Sequence, residues 1–199
     1  MIPDVLFSSK LEPLARISPS KFTSLQTCPL REIWAANNKP KLLPVSPAAY
    51  LGTVIHKLLE LGSQWRIKNE EEMLVCWEII VKDTEKEMQN DALEKYFIPL
   101  SLHANNYEVK KSMAFNIVRK FFGSTLPPEN IGKVKKMESE VWIETKDGKI
   151  GGKIDSVVHT GKGVEIFDYK TGAIVNPLDD EDGIKPEYEQ QLKIYAGLY

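Results

Sequence analysis

The spacing of apolar residues changes near residue 125 of this 199-residue chain. Before that point, apolar residues recur every three to four positions, which is the period of an amphipathic helix. Beyond it they alternate with polar residues, beginning at Val141 and Ile143, which is the period of a strand. A helical part (about 17–125) followed by strands and a final helix (about 134–199) predicts one α/β or α+β domain over the whole chain, 1–199.

Four amphipathic helices are predicted in the first part and one at the end of the chain. Ser18 or Ser20 caps the first helix, because serine favours the N-cap position, and Pro186 fits the first turn of the last. The predicted helices run from the serine cap to about Ala36, from about Ala48 to Trp65, from Glu70 to about Phe97 (continuous or with a break), from Tyr107 to Phe122, and from Pro186 onward.

The composition excludes several classes of protein. With 42% hydrophobic and 27% charged residues, the chain is not typical of disordered, collagen-like or coiled-coil proteins. No run approaches the roughly 18 apolar residues that span a bilayer, so no membrane association is expected. The two cysteines, Cys28 and Cys76, favour a reducing, cytoplasmic (intracellular) compartment. A net charge of −2 excludes a uniformly basic nucleic-acid binder but allows a local basic patch.

A predicted hairpin brings two aspartates together. Strands at 150–158 and 164–170 flank the turn at 160–163. In a tight hairpin centred on that turn, Asp155 faces Asp168, and opposed residues have Cβ atoms roughly 4.5–5.5 Å apart. Lys170 projects from the same face as Asp168, because side chains two positions apart share a face of a strand.

This arrangement favours metal-assisted hydrolysis of a phosphodiester. Two close carboxylates repel each other unless something compensates, and a divalent cation with oxygen ligands does so. A lysine beside the cation orients the attacking water or stabilises negative charge. The alternative is a solvated hairpin face with an Asp–Lys pair. Because residues 164–167 are apolar on both faces, we expect a central strand that shelters the charged groups.

Two helices contribute further candidates. His56 lies on a predicted helix among apolar neighbours, where a histidine is either a metal ligand or a structural residue. Gln191 and Tyr195 lie one turn apart on the final helix and share a face. The alternative for Tyr188, Tyr195 and Tyr199 is an aromatic stripe in the core.

The ordered motifs resemble a known nuclease branch. They are G-x-x-x-H at 52–56, G-x-x-x-D at 151–155, D-x-K-T-G at 168–172 and Q-x-x-x-Y at 191–195. This set resembles the RecB-type exonuclease branch of the PD-(D/E)XK nuclease superfamily and is similar to CRISPR-adaptation and recombination nucleases. The resemblance implies a restriction-endonuclease-like core, with a central mixed sheet flanked by helices, and DNA cleavage that depends on Mg²⁺ or Mn²⁺.

The resemblance also implies a role for each matching residue. The implied metal ligands are His56, Asp155, Asp168 and the backbone carbonyl of Tyr169. Lys170 becomes the catalytic lysine that positions water, and Gln191 and Tyr195 brace that lysine or contact the DNA backbone. Glu140, or less favourably Glu138, supplies the acidic residue that some members carry on the preceding strand. The equal alternative for both glutamates is a polar outward face.

The partners follow from the same resemblance. It implies DNA as substrate, as single strands or duplex ends, and a helicase or recombination protein as partner, in repair, recombination or defence. Other readings are an inactive nuclease-like DNA-binding scaffold and an unrelated α/β domain with a chance hairpin. The apolar stripe of the final helix still runs at Tyr199, which predicts a truncated C-terminus. In a longer chain with three more cysteines, Cys28 would be the first ligand of an iron–sulfur cluster.

Overall fold

The computed structural model of the protein describes residues 11–37, 44–64, 66–120, 136–170 and 184–199. These ranges contain seven α-helices and a three-stranded antiparallel sheet, which confirms the predicted α+β class. In chain order the elements are α1 Phe22–Thr27, α2 Pro29–Ala36, α3 Pro47–Ser63, α4 Glu70–Gln89, α5 Leu100–His103, α6 Tyr107–Arg119, β1 Lys136–Glu144, β2 Gly151–His159, β3 Val164–Phe167 and α7 Pro186–Leu198.

The chain divides into two compact units. The first comprises Met1–Leu42, Trp142–Ile154 and Ala173–Tyr199, and the second comprises Leu43–Val141 and Asp155–Gly172. Strands β1 and β2 each contribute residues to both units. The single nuclease domain over 1–199 stays a prediction.

The first predicted helix is two helices, α1 and α2, separated at Cys28. Cys28 has an extended backbone with φ −152° and ψ 87°. Proline has no N–H to donate and disfavours the helical conformation in the residue before it, so Pro29 ends α1 and begins α2. Ser18 stands at the N-cap of a 3₁₀ turn over Pro19–Lys21, although its side chain makes no capping bond.

The later helices lie close to their predicted places, with one shortened. Helix α3 is capped by Ser46, whose side chain accepts a hydrogen bond from the Ala49 N–H. The helix predicted from Glu70 ends at Gln89 rather than near Phe97. The Asp91 carboxylate accepts hydrogen bonds from the N–H groups of Leu93 and Glu94, which favours a new turn over continuation of α4. Trp65, residues 121–122 and positions 171–172 of the D-x-K-T-G motif lie outside the described residues.

The second unit is built around a helical core. Helix α3 packs against both α4 and α6, and its apolar stripe, including Val54 and Leu58, is fully buried. Trp77 packs edge-on against Tyr107 and Phe115. Its indole N–H donates to the Tyr107 hydroxyl at 2.9 Å, which satisfies both polar groups in the core.

Truncation of Leu58 is expected to destabilise the protein strongly. Leu58 is 0% exposed, and replacing it with alanine leaves a cavity in a close-packed core, at a cost of about 2–5 kcal/mol. Urea unfolding followed by circular dichroism measures the change in the free energy of unfolding. The matched control is Leu102→Ala, because Leu102 is 79% exposed. Equal midpoints for the two variants would contradict this description of the core.

The sheet has the order β1-β2-β3, so β2 is the central strand. The expectation that 164–167 forms a central strand is wrong for the described sheet, in which β3 lies at an edge. Val164 is 46% exposed and Phe167 is 37% exposed. An apolar run does not distinguish a central strand from an edge strand whose outer face carries exposed apolar side chains.

In the first unit, backbone pairing fixes an N-terminal segment beside β2. Ile17 forms a parallel bridge with Ile150. Its N–H donates to the Lys149 carbonyl at 2.8 Å, and its carbonyl accepts from the Gly151 N–H at 3.1 Å. Helix α7 begins at Pro186, as predicted, and packs against the 3₁₀ turn over Pro19–Lys21.

Candidate active site

The predicted hairpin register is confirmed. Strands β2 and β3 pair antiparallel, with His159 opposite Val164 and Ser156 opposite Phe167. The next positions in this register are Asp155 and Asp168, directly beyond the last pair of β3. The turn is closed by a hydrogen bond from the Thr160 N–H to the Gly163 carbonyl at 2.8 Å.

Asp155 makes contacts that hold it in one orientation. Its Oδ2 accepts a hydrogen bond from the Tyr169 backbone N–H at 2.6 Å. Its Oδ1 lies 3.6 Å from Nδ1 of His56, which extends from α3. The Asp155 side chain is 16% exposed, so a substrate or ion can reach it. The structure therefore brings together His56 and Asp155, which are 99 residues apart in the sequence.

Asp168 and Lys170 form a close ion pair. Nζ of Lys170 lies 2.5 Å from Oδ2 of Asp168, whose side chain is only 9% exposed. Burial raises the pKa of Asp168, and the nearby Lys170 ammonium opposes that rise. The Asp155 carboxylate adds to the rise, because two neighbouring carboxylates resist being ionised together.

The pKa of His56 is raised above its ordinary value. The main cause is the Asp155 carboxylate, which stabilises the imidazolium form. Burial and the Lys170 ammonium act in the opposite direction, and Asp168 acts in the same direction as Asp155. The four side chains are thus electrostatically linked in the second unit.

Titration of His56 checks this linkage. In metal-free protein, we expect the NMR titration of the His56 ring to give a pKa above about 6.5. The Asp155→Asn variant should lower that pKa. Because the folded state has the raised pKa, His56 contributes stability that is complete below the unfolded pKa and is lost as pH rises through the folded pKa. If His56 had the same pKa in the wild type and in Asp155→Asn, the contact between His56 and Asp155 would be refuted.

A cavity of about 510 Å³ opens beside His56. Its lining includes Thr53, Lys57 and Glu60 from α3, together with Glu140 from β1. Thr53 and Glu60 lie at helical spacings of three and four from His56, so a search along the His56 face of the predicted helix would have found them, whereas Lys57 directly follows His56 in the sequence. These three residues are not among the site residues that the sequence predicts.

The structure separates the two candidate glutamates of β1. Glu140 lines the His56 cavity and has a left-handed backbone, with φ 55°. Such a conformation is costly for a residue with a side chain and concentrates at functional sites. Glu138 instead pairs with His159 and Lys136, at 3.0 and 2.8 Å. These contacts favour Glu140 over Glu138 as the acidic residue, and its role as a metal ligand stays a prediction.

Gln191 and Tyr195 lie in the first unit and contact each other, as their spacing predicts. The Gln191 amide lies 3.5 Å from the Tyr195 hydroxyl, and both side chains are buried. The Tyr195 hydroxyl donates to the Lys153 carbonyl at 3.0 Å. This bond anchors α7 to β2. Their predicted action on Lys170 or DNA stays a prediction.

The donor chemistry fits a divalent metal ion. Mg²⁺ and Mn²⁺ favour carboxylate and carbonyl oxygens, and imidazole is a common additional ligand. His56, Asp155 and Asp168 offer these donors. As the described residues are arranged, no three His, Cys, Asp or Glu side chains form a cluster around one position, and Asp168 is paired with Lys170. Cys28 is exposed and unbridged, and its iron–sulfur role stays a prediction.

Comparison with known families identifies the class of protein. A family model for the PD-(D/E)XK nuclease superfamily matches residues 16–199. The chain therefore belongs to the PD-(D/E)XK nuclease superfamily, whose members are mostly metal-dependent nucleases that generally use Mg²⁺ or Mn²⁺. No match was found among curated proteins or among solved structures. The RecB-type branch stays a prediction. None of the helices in the described ranges combines the length and apolar content that crossing a bilayer requires.

Proposed function

We propose that this protein is a divalent-metal-dependent DNA nuclease that hydrolyses phosphodiester bonds as an exonuclease or single-strand-preferring nuclease. Its setting would be DNA repair, recombination or defence, inside the cell, with a helicase or recombination protein as partner. The observation that carries the proposal is the grouping of His56, Asp155, Asp168 and Lys170 around one end of the β2–β3 hairpin.

The proposed ligands are His56, Asp155, Asp168 and the Tyr169 carbonyl, with Glu140 beside them. The Tyr169 N–H is bound to Asp155, which holds the Tyr169 backbone beside that carboxylate and supports this role. A divalent ion held by these groups would supply Lewis-acid polarisation of the phosphate and would lower the pKa of attacking water.

Lys170 acts on the reacting groups. Its ammonium carries the positive charge that stabilises the phosphate as negative charge develops in the transition state. In the described arrangement Asp168 binds that ammonium, and this contact positions the Lys170 side chain. As the water oxygen bonds to phosphorus, the bond from phosphorus to the departing sugar oxygen breaks. The attacking water releases a proton to solvent, and the sugar oxygen takes up a proton from solvent.

The pKa shifts give the proposed metal site a pH dependence with a definite sign. Protons compete with metal ions for imidazole and carboxylate. The pKa values of both His56 and Asp168 are raised. As pH is lowered, metal affinity is therefore expected to begin to fall at a higher pH than it would for groups with ordinary pKa values.

A second candidate is the inactive DNA-binding scaffold. The observation that favours it is that Asp155 and Asp168 are already paired with protein groups, the Tyr169 N–H and the Lys170 ammonium. A carboxylate held in this way must lose or share its partner to bind an ion. Both candidates predict that the protein binds DNA, but only the nuclease predicts that it cleaves DNA.

A cleavage assay tests the proposal. Single-stranded and duplex DNA, labelled at the 5′ or the 3′ end, are incubated with the protein in Mg²⁺, Mn²⁺ or EDTA, with matched RNA strands in parallel. We expect cleavage of DNA in either metal and none in EDTA. The position of the label reports polarity, and a circular single strand separates exonuclease from endonuclease action. Binding without cleavage in both metals would favour the scaffold.

A further inference from the structure

A second cavity, of about 420 Å³, lies in the first unit and has no role in the chemistry described above. This volume is within the range of about 300–1,000 Å³ that small-ligand sites occupy. The lining residues that matter here are Arg16, Lys21, Trp142, Gly152, Lys153 and Tyr195. All of them belong to one compact unit, so the cavity is formed within it.

Trp142 is a large aromatic side chain that is exposed and yet held in place. It is 48% exposed, and the Arg16 guanidinium lies 4.5 Å from its ring centroid. Its indole N–H donates to Glu144 at 3.1 Å, and the same carboxylate oxygen lies 3.4 Å from Arg16. An indole ordered in advance loses little conformational entropy when another ring stacks on it.

The charge of the cavity favours an anion. Its lining contains three cations, Arg16, Lys21 and Lys153, and one carboxylate, Glu32. With the adjacent Glu144 carboxylate also counted, one positive charge remains in excess. Glu32 is only 7% exposed, and Lys21 lies 3.0 Å from it. An exposed aromatic ring within such a basic groove is the composition of a single-strand binding site, where bases stack and cations follow the phosphates.

The floor of the cavity is backbone. A Cβ atom at Gly152 would lie 3.0 Å from Pro19 Cδ and 3.2 Å from the Tyr195 hydroxyl, and one at Gly151 would lie 2.7 Å from Glu144 Cβ. Gly152 therefore allows α7 and the Pro19 turn to pack closely on β2, and Gly151 allows Glu144 of β1 to approach it closely. The backbone of these two glycines lies beside Trp142 without a side chain that would fill the space.

We propose that this cavity binds a segment of single-stranded nucleic acid, with one base stacked on Trp142 and its flanking phosphates bound by Arg16, Lys21 and Lys153. A paired base is stacked within its own duplex and cannot lie on the indole, so the site selects single strands. This inference rests on the proposed function, because it assigns a strand-binding site to that nuclease.

Binding is measured without cleavage, by fluorescence anisotropy in EDTA. The probe is a labelled oligothymidylate of about 12 nucleotides, within the range of about 4–16 that single-strand sites occupy. We expect Trp142→Ala to weaken binding roughly tenfold, because loss of one base–aromatic stack has effects of this order. Trp142→Phe should retain most of the affinity. The matched control is Tyr96→Ala, since Tyr96 is 70% exposed and Lys95 lies 5.2 Å from its ring centroid.

The cations are tested by salt dependence. Lys153→Ala is expected to reduce the slope of log affinity against log salt concentration by about 0.7, the value for one phosphate of a single strand. Lys95→Ala is the matched control and should leave the slope unchanged. A blunt-ended duplex should bind wild type and Trp142→Ala equally.

The outcomes separate this inference from the proposed function. If folded Trp142→Ala and Lys153→Ala bind the single strand as wild type does while metal-dependent cleavage persists, the cavity assignment is wrong and the nuclease stands. An equal loss of duplex binding in Trp142→Ala would overturn the selection for single strands. If wild type binds through Trp142 and cleaves nothing in either metal, the nuclease proposal fails and the binding site remains.

Discussion

Replacing Asp155 or Asp168 with asparagine is expected to reduce DNA cleavage by at least about 10²–10³-fold, because each change removes a charge that the metal and the transition state require. Asparagine has nearly the same shape as aspartate. At position 155 its carbonyl oxygen still accepts the Tyr169 N–H, which Asp155 now binds at 2.6 Å. We therefore expect both variants to fold, and initial rates of metal-dependent cleavage to measure the loss.

The matched control is Glu165→Gln. Glu165 is an exposed carboxylate on β3, three residues from Asp168, and it pairs across the hairpin with Val158. It undergoes the same kind of change, from carboxylate to amide, within the same hairpin. Near-wild-type cleavage by folded Asp155→Asn or Asp168→Asn would show that the assignment of that residue is wrong. An equal loss in Glu165→Gln would show instead that the hairpin tolerates no change of charge.

The hairpin was the most predictable part of the candidate site. A turn of glycine and lysine between two alternating runs allows few registers, and a slip of one residue would move every side chain to the other face. The sequence therefore predicts that Asp155 and Asp168 lie side by side, and the pairing of Ser156 with Phe167 confirms the register that brings them there. His56 joins them through the packing of the helical core, which no local pattern specifies.

Other features could not be read from local patterns. The break between α1 and α2 is an exception, because Pro29 is a local signal for it that the continuous apolar periodicity of 18–36 conceals. The exposure of β3 depends on which strands lie beside it, because edge and central strands share the same apolar composition. The left-handed backbone at Glu140 has no sequence signal, since glutamate rarely adopts it and tertiary contacts must hold it there.

The residues around the first-unit cavity come together through a tertiary contact that sequence patterns do not predict. Trp142 and Arg16 are 126 residues apart, and the parallel bridge between Ile17 and Ile150 brings them together. A bridge that pairs one residue with one other produces no periodic pattern of apolar residues in the sequence. The spacing of the G-x-x-x-D motif points only to Asp155, whereas the contacts of Gly152 show that it also makes room for Pro19 and Tyr195.

Lys170→Ala is expected to abolish cleavage while leaving the binding of Mn²⁺ intact, which separates the lysine from the metal ligands. An ammonium group has no lone pair to offer a metal, so its loss removes transition-state stabilisation and not a ligand. The expected loss of rate is again about 10²–10³-fold. Calorimetric titration with Mn²⁺ and the cleavage assay are run on the same preparation.

The pH of the Mn²⁺ titration must keep Asp168 ionised in both the wild type and Lys170→Ala. Lys170 lies 2.5 Å from Asp168 and holds its pKa down against the effect of burial. Removing the ammonium therefore raises the pKa of Asp168 further and strengthens proton competition with the metal. Titration at pH 8, well above the ordinary range of aspartate, keeps the carboxylate ionised in both proteins. The control is Lys162→Ala, in the exposed turn of the same hairpin. If a folded Lys170→Ala variant lost both Mn²⁺ binding and cleavage, Lys170 would act by holding Asp168 in place.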